Sequence, residues 1–575
     1  EFPKRDWSSD VCSSDLNYII VTDVGSTTTK ARLLTLVENQ WHITGKVETP
    51  TTVEAPEENV MIGVLKSIEL LEDVCEIPLL QENRSHLLPN IQVLSTSSAG
   101  GGLQMVVCGQ VSHISAKSAQ RAALGGGAIL LDTFSPDDHM TLQQRIDRLE
   151  TLRPDMILLS GGIEGAEPGN FLIEMCDFIR EANPKPKFGY HYRLPIIYAG
   201  TSQGIDLVTD LLKENFKVTI TENLRPDFHM ENLTPTRNAI QNLFVEHVMS
   251  QAPGYAMLRD LVSYEVLPTP VAVGEILKAF STTKKANIIA VDIGGATTDV
   301  FTVVNGEYTR SVSANYGMSY SIANVAVNSG WDRIAAWLPP EAHITLQQMM
   351  EQVGNKLLFP TTIPENDNEL WVEQALAREA LRLSFLDHLE IAKLQTPTQG
   401  FFSNLSKNQI REIHISDFQV IIGSGGVLSN APKQEQAAMM LIDSLLPQGI
   451  VELLLDNRFV IPHLGVFSKY NQQAALDLLQ REGLIRLGTL LAPLGRGTLD
   501  TPAFQIRVES EDGRQMSETV NWGDVKTVPL AFDELVQLHI SPMNGARWPY
   551  PTFVKIQGGV CGIIMDARGR PELLR

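Results

Sequence analysis

An internal repeat constrains this chain more than any other feature. Tyr18–Val24 reads YIIVTDV and is followed, after a hydroxyl-rich turn, by ARLLTLV over Ala31–Val37. Asn287–Val304 reads NIIAVDIGGATTDVFTVV, which is again an apolar strand, a glycine turn and a second strand. Short β-branched runs separated by Gly- and Thr-rich turns predict hairpins. Two copies roughly 270 residues apart predict a duplicated core with other structure inserted between them.

The insert has its own rhythm. MILLSGG at Met156, a helical FLIEMCDFIREA at Phe171, LPIIYAG at Leu194, GIDLVTDLLKE at Gly204 and KVTITENL at Lys217 alternate strand with helix. That order predicts a parallel sheet with covering helices over 115–262. Gly161, Gly162 and Gly165 fall at a strand end, where a ligand site or a tight turn would each use them. Beyond the second hairpin, Glu369–Glu390 carries a stripe of Leu370, Leu376, Ala377, Ala380, Leu383 and Leu386, read as helix packing. FQVII at Phe418 then runs into Gly423, Ser424, Gly425 and Gly426, a third strand and glycine turn, with a helix from about Lys433. After Leu487, short apolar segments at Thr527–Leu530, Val536–Ile540 and Phe553–Ile556 predict a β-rich domain over 488–575. Arg5–Leu16 reads RDWSSDVCSSDL, with no apolar signal-peptide core, so residues 1–16 are expected to be a non-native scar.

A chain of 575 residues is long enough for several cores. Its net charge of −21, without a Lys/Arg cluster, argues against nucleic acid or an anionic membrane as a partner. The five cysteines, Cys12, Cys75, Cys108, Cys176 and Cys561, are scattered, which predicts neither a zinc site nor a redox pair. With no apolar run near the roughly 18 residues of a membrane helix, the expectation is a cytoplasmic protein.

Both hairpin turns hold what phosphates need: backbone N–H groups, hydroxyls, a cation, and carboxylates for Mg²⁺. In the first, Asp23 ends the strand, Gly25 permits close approach, Ser26, Thr27, Thr28 and Thr29 offer hydroxyls, and Lys30 is a cation. In the second, Asp292 ends the strand, Gly294 and Gly295 make the turn, and Ala296, Thr297, Thr298 and Asp299 complete it. A single Asp-x-Gly turn would be weak evidence. Two copies with the turn at Gly423 are far more specific.

DVGSTTTK at Asp23, DIGGATTD at Asp292 and IIGSGGVLSNAP at Ile421 resemble, in order, the two phosphate motifs and the adenosine motif of the actin-like ATPase superfamily of sugar kinases, heat-shock chaperones and actin. The resemblance implies an α/β fold with ribonuclease H-like subdomains at 17–114 and 263–487, the insert at 115–262 and the β-rich domain at 488–575. It implies ATP or ADP in the cleft and Mg²⁺ held through water by Asp23 and Asp292. Gly423, Gly425 and Gly426 would lie against the adenosine. Glu379 and Arg382 have the spacing of an adenine-pocket pair in chaperone relatives, although an exposed ion pair accounts for them as well. No residue stands out as the one that orients an attacking water, so a slow ATPase is expected rather than a fast kinase.

A more specific resemblance spans nearly the whole chain from Asn17. STSSAGGGLQMVVCG at Ser95, LLSGGIEGAEPGNFL at Leu158, LPIIYAGTSQ at Leu194, NKLLFPTTIPENDNELWVEQALAREALRL at Asn355 and VKIQGGVCGIIMDARGRP at Val554 look like the glutamate mutase accessory family, the MutL or GlmL type. This implies an ATP-dependent reactivating chaperone whose partners are the subunits of an adenosylcobalamin-dependent mutase. A metabolite kinase would use the same cleft but needs a catalytic base near the second motif. Dehydratase activators share the first motif but hold an iron–sulfur cluster through paired cysteines. A filament-forming relative would be obstructed by the insert. His463, in VIPHLG, reads as a core or loop residue.

Overall fold

The computed structural model describes residues 18–571 and 573, apart from 26–27, 54–56, 82–85, 90, 99–102, 186–192, 229, 245, 247–252 and 399–406. The candidate residues Ser26 and Thr27, Cys12 and the expected scar over 1–16 lie outside the described residues.

Two sheets share one strand order. In the first, Gln40–Pro50, Thr28–Val37 and Tyr18–Val24 form an antiparallel meander, and Ile91–Ser97 and Leu267–Pro268 continue it parallel to Tyr18–Val24. In the second, Glu307–Ser313, Thr298–Val304 and Ile288–Ile293 form the meander, and Val420–Ser424 and Gly449–Leu455 continue it in parallel. The order third, second, first, fourth, fifth therefore occurs twice, the duplication that the repeat predicts and the ribonuclease H-like arrangement that the resemblance implies. Even the second turns match. Glu38 and Asn39 have φ of 49° and 62°, and Asn305 and Gly306 have 52° and 82°, which places a two-residue left-handed turn in each half.

The first strand of each sheet is buried on both faces, which is why it reads as an unbroken apolar run. Ile20 and Val24 pack with Val60, Val64 and Ile68 of helix Val60–Cys75, while Ile19 and Val21 face a different core. In the second half, Ile289, Val291 and Ile293 face helix Asp367–Ile391, while Ile288 and Ala290 turn the other way. The shared middle core is filled by helices Thr269–Lys284 and Ile461–Tyr470, which contribute Ala272, Ile276, Phe280, Leu464 and Phe467. These two helices touch at Gly465, where an added Cβ would stand 2.1 Å from the carbonyl oxygen of Ala272.

The insert is a five-stranded parallel sheet in the order Ala128–Phe134, Leu103–Gly109, Met156–Ser160, Pro195–Tyr198, Lys217–Ile220. Its layer begins earlier than the boundary read at 115. The chain leaves the first sheet at Ser97, and Leu103–Gly109 already pairs within the insert. The boundary read at 487 also shifts. Ile485–Ala492, Ile563–Asp566 and Val525–Val528 extend the second sheet to eight strands. Only Gln515–Asn521, Pro502–Ser510, Leu535–Pro542 and Phe553–Gln557 form a separate four-stranded sheet, over a core that contains Trp522 and Phe504.

Helix Asp367–Ile391 departs from its expected stripe. Leu376, Ala377 and Ala380 are buried, but Leu386 is exposed, and the buried surface includes Glu379 and His388. His388 is held between Thr302 Oγ1 and Ser311 Oγ, and burial lowers its pKa to about 3, which keeps it neutral. Among the described residues no helix is long and apolar enough to cross a membrane.

The helix crossing yields a first test. Gly465→Ala forces the two central helices apart and costs about 1–3 kcal/mol of stability. A denaturant melt reads this as a lower midpoint, and an unchanged midpoint would contradict the crossing.

Candidate functional site

The two hairpins, the glycine turn and the start of helix Thr269–Lys284 line one cleft of about 760 Å³. Asp23, Gly25, Thr28 and Lys30 come from the first half, and Asp292, Gly294, Gly295, Ala296 and Thr297 from the second. Gly425 and Gly426 join them from the third turn. Thr298, although in the second motif, points away and donates from Oγ1 to the Tyr316 carbonyl at 2.5 Å.

Each turn is closed by its own backbone. Gly25 N–H donates to the Thr28 carbonyl at 3.0 Å, and Gly294 N–H to that of Thr297 at 2.9 Å. Thr51 Oγ1 donates to the Gly25 carbonyl and also bonds Thr29. The second turn is backed by segment 317–321. Met318 N–H donates to the Gly294 carbonyl, Ser319 N–H to that of Gly295, and Ser321 Oγ to that of Ala296.

Asp23 is largely buried, and one of its carboxylate oxygens accepts from Thr96 Oγ1 and Thr269 Oγ1, both at 2.8 Å. Directly across the hairpin stands Lys30, whose ammonium lies 4.3 Å from the ring centre of Phe459. Lys30 has no ion pair among the described residues, so its charge faces the cleft. In the second hairpin the residue across from Asp292 is Asp299, not a lysine. Arg310 offsets Asp299 at 2.7 Å.

Asp292 opens onto the cleft yet lies deep among protein atoms, and its carboxylate accepts no hydrogen bond from a described residue. Lost hydration pushes its pKa up to about 6, helped by the neighbouring Asp299, Asp456 and Asp23 and opposed by Lys30. A cation there would relieve that strain. No group of three or more His, Cys, Asp or Glu among the described residues could hold a metal directly. Carboxylates on two facing strands, without such a cage, fit Mg²⁺ that keeps its waters.

Asp456 belongs to none of the three glycine-rich motifs. It follows strand Gly449–Leu455, lines the cleft, and accepts from the N–H groups of Val460 and Ile461 at the start of helix Ile461–Tyr470. Burial raises its pKa. His463, on the same helix, is buried with Nε2 near the Lys30 carbonyl, and burial beside Arg32 and Lys30 keeps it neutral.

The three glycines of the third turn do different things. Gly423 sits inside strand Val420–Ser424, where an added Cβ would meet Leu441 and Leu428, so it serves packing. Gly425 has φ of 105°, and its Cβ would stand 2.2 Å from the Ile293 carbonyl, so only glycine lets this turn meet the second hairpin. Gly426 is open to the cleft. Glu379 and Arg382 form neither an exposed pair nor part of the cleft lining. Glu379 is fully buried and accepts from Arg382, Arg333 and Trp337 Nε1.

A duplicated sheet pair with acidic hairpins facing across one cleft defines the actin-like fold. Within it the chain belongs to the MutL protein family, whose sequence profile matches residues 19–482. Protein MutL of Clostridium tetanomorphum is 26% identical over 490 residues, covering 80% of this chain and 98% of that protein. Among solved structures, a nucleotide-free acetone carboxylase is 10% identical with a TM-score of 0.35, covering 92% of this chain and 82% of that one. A glycerol dehydratase reactivase is 11% identical with a TM-score of 0.31, covering 79% of this chain and 100% of that one.

The raised pKa of Asp292 has a testable sign. Its native form holds a proton more tightly than the unfolded chain does, so the charged side chain destabilises the fold once pH exceeds the ordinary value of 3.8. Asp292→Asn should therefore raise the melting temperature at about pH 7.5 without metal, with a gain that shrinks below about pH 6 and vanishes below about pH 4. A lower melting temperature at about pH 7.5 would place the carboxylate in a stabilising contact instead.

Proposed function

We propose that the cleft binds ATP and ADP with Mg²⁺, and that the protein is an ATP-dependent reactivating accessory protein for an adenosylcobalamin-dependent mutase of the glutamate mutase or aminomutase type. The observation that carries this reading is the unpaired Lys30 beside Asp23, facing Asp292 across a cleft built from two halves. An unpaired ammonium and two closed glycine turns suit a polyphosphate, and the facing aspartates suit its metal. Membership of the MutL family supports the accessory role.

In this reading Asp23 and Asp292 hold the hydrated Mg²⁺, which neutralises phosphate charge when bound. Lys30, Thr28 and the N–H groups of the two turns, with Ser26 and Thr27 in the first motif, position the phosphates. Gly426 leaves room on the adenosine side. Both halves grip one ligand, so nucleotide favours a closed cleft, and a mutase that binds the open and closed forms unequally is remodelled as the nucleotide turns over. Prising mutase subunits apart would let damaged cobalamin leave its buried site.

The test is calorimetric titration with Mg·ATP and Mg·ADP, followed by phosphate release with and without an adenosylcobalamin-dependent mutase of the glutamate mutase or aminomutase type. Asp23→Ala and Asp292→Ala should each weaken Mg·ATP binding about tenfold or more while the fold survives. Unchanged binding in both variants would remove the site. Binding without stimulation by the mutase would remove the reactivase role and leave the nucleotide cleft standing.

A further inference from the structure

A second cavity, of about 500 Å³, opens where the insert, helix Thr269–Lys284 and the hairpin turn at Gly306 meet. It lies within the roughly 300–1,000 Å³ of small-molecule sites. In a chain of net charge −21 its lining is unusual, with Arg121, Arg237, Lys278 and Lys469 set against three glutamates. Two of those glutamates are already saturated. Glu231 takes both Arg121 and Arg225, and Glu275 takes both Lys278 and Lys469.

Arg237, on helix Thr234–Leu243 of the insert, has no hydrogen bond or ion pair with a described residue. Its Nε is enclosed without an acceptor, and Glu307 attracts the guanidinium only at longer range. The side chain occupies a slot that glycine provides, because a Cβ at Gly125 would stand 2.4 Å from Nε. A guanidinium whose Nε is enclosed without a partner is costly, and a planar oxyanion is the ligand its fork fits best. Lys278 and Lys469 share one carboxylate, so each ammonium keeps N–H donors for a second acceptor.

We propose that this cavity binds a small oxyanion, a dicarboxylate or a phosphate, with Arg237 as its anchor and Lys278 and Lys469 completing the grip. The bound anion joins the insert to the two central helices, since Lys278 lies on one and Lys469 on the other. This inference does not depend on the nucleotide reading of the cleft.

The full chain is titrated with succinate and, separately, with inorganic phosphate, at ionic strength held constant with chloride, following heat and melting temperature. Saturable stabilisation is expected. Arg237→Gln should weaken it about tenfold or more, and the pair Lys278→Gln with Lys469→Gln should weaken it also, which keeps the test valid if the arginine variant does not fold. Lys30→Met, which alters the cleft, should leave the affinity unchanged. A response to succinate alone identifies a carboxylate ligand, and a response to phosphate alone a phosphate ligand. No saturable response to either probe, or one lost in Lys30→Met and kept in Arg237→Gln, overturns the proposal.

Discussion

The contact on which the molecule depends is the crossing of helices Thr269–Lys284 and Ile461–Tyr470 between the two sheets. With Gly465 against the Ala272 carbonyl, their backbones meet where a Cβ on Gly465 would stand 2.1 Å from that oxygen, so no side chain fits between them there. Both sheets bury a full face on this pair, so neither half has a complete core without it. The cleft lies at the N-terminal ends of the same helices. Thr269, the first residue of one, donates to Asp23 of the first hairpin, and Asp456 accepts the first N–H groups of the other. Each carboxylate is therefore bonded directly to the start of one of the two helices, and the positive helix ends add to the cleft's attraction for an anion.

The two hairpins repeat in backbone and differ in charge, and the difference is informative. Across from Asp23 the partner is Lys30, so the first hairpin presents a cation and an anion side by side. Across from Asp292 the partner is Asp299, which Arg310 offsets from the neighbouring strand. Arg310 also donates to the Ala128 carbonyl at the edge of the insert. Both hairpins face the cleft, but the cation of the second is held in a structural pair and tied to the insert, while Lys30 of the first has no ion pair among the described residues.

What could be read in the sequence follows from how each signal is written. Tyr18–Val24 and Ile288–Ile293 were legible because strands buried on both faces leave unbroken apolar runs, and the acid at each strand end marks where the chain meets the cleft. Thr96 and Thr269 were not, since each is a single polar residue whose partner, Asp23, lies far along the chain; Asp456 bonds the nearby Val460 and Ile461 N–H groups, and the available signal for it was its place directly after VELLL. Gly423 was grouped with Gly425 and Gly426 by adjacency, but period-two alternation turns it into the core. Glu379 falls on the buried side of its helix, where a carboxylate is found only when neighbours such as Arg333 and Trp337 satisfy it, and those are invisible to periodicity. The early start of the insert was hidden because Leu103–Gly109 follows the first sheet after only a short link.

The insert is attached to the two halves in different ways. Leu103, Met105, Val107, Ala122 and Leu158 share one apolar core with Ile20 and Val64 of the first half. Separating them would expose apolar surface at about 25 cal/mol per Å². Its links to the second half are of another kind: Arg310 to the Ala128 carbonyl, and Arg121 to the carbonyl of Ile391. Hydrogen bonds of this sort exchange with water for about 1 kcal/mol each. The insert therefore shares its buried apolar core with the first half and meets the second through hydrogen bonds and the packing of helix Lys117–Gly125 on strand Glu307–Ser313. That junction is where the cavity around Arg237 lies, lined by the insert, helix Thr269–Lys284 and strand Glu307–Ser313 together.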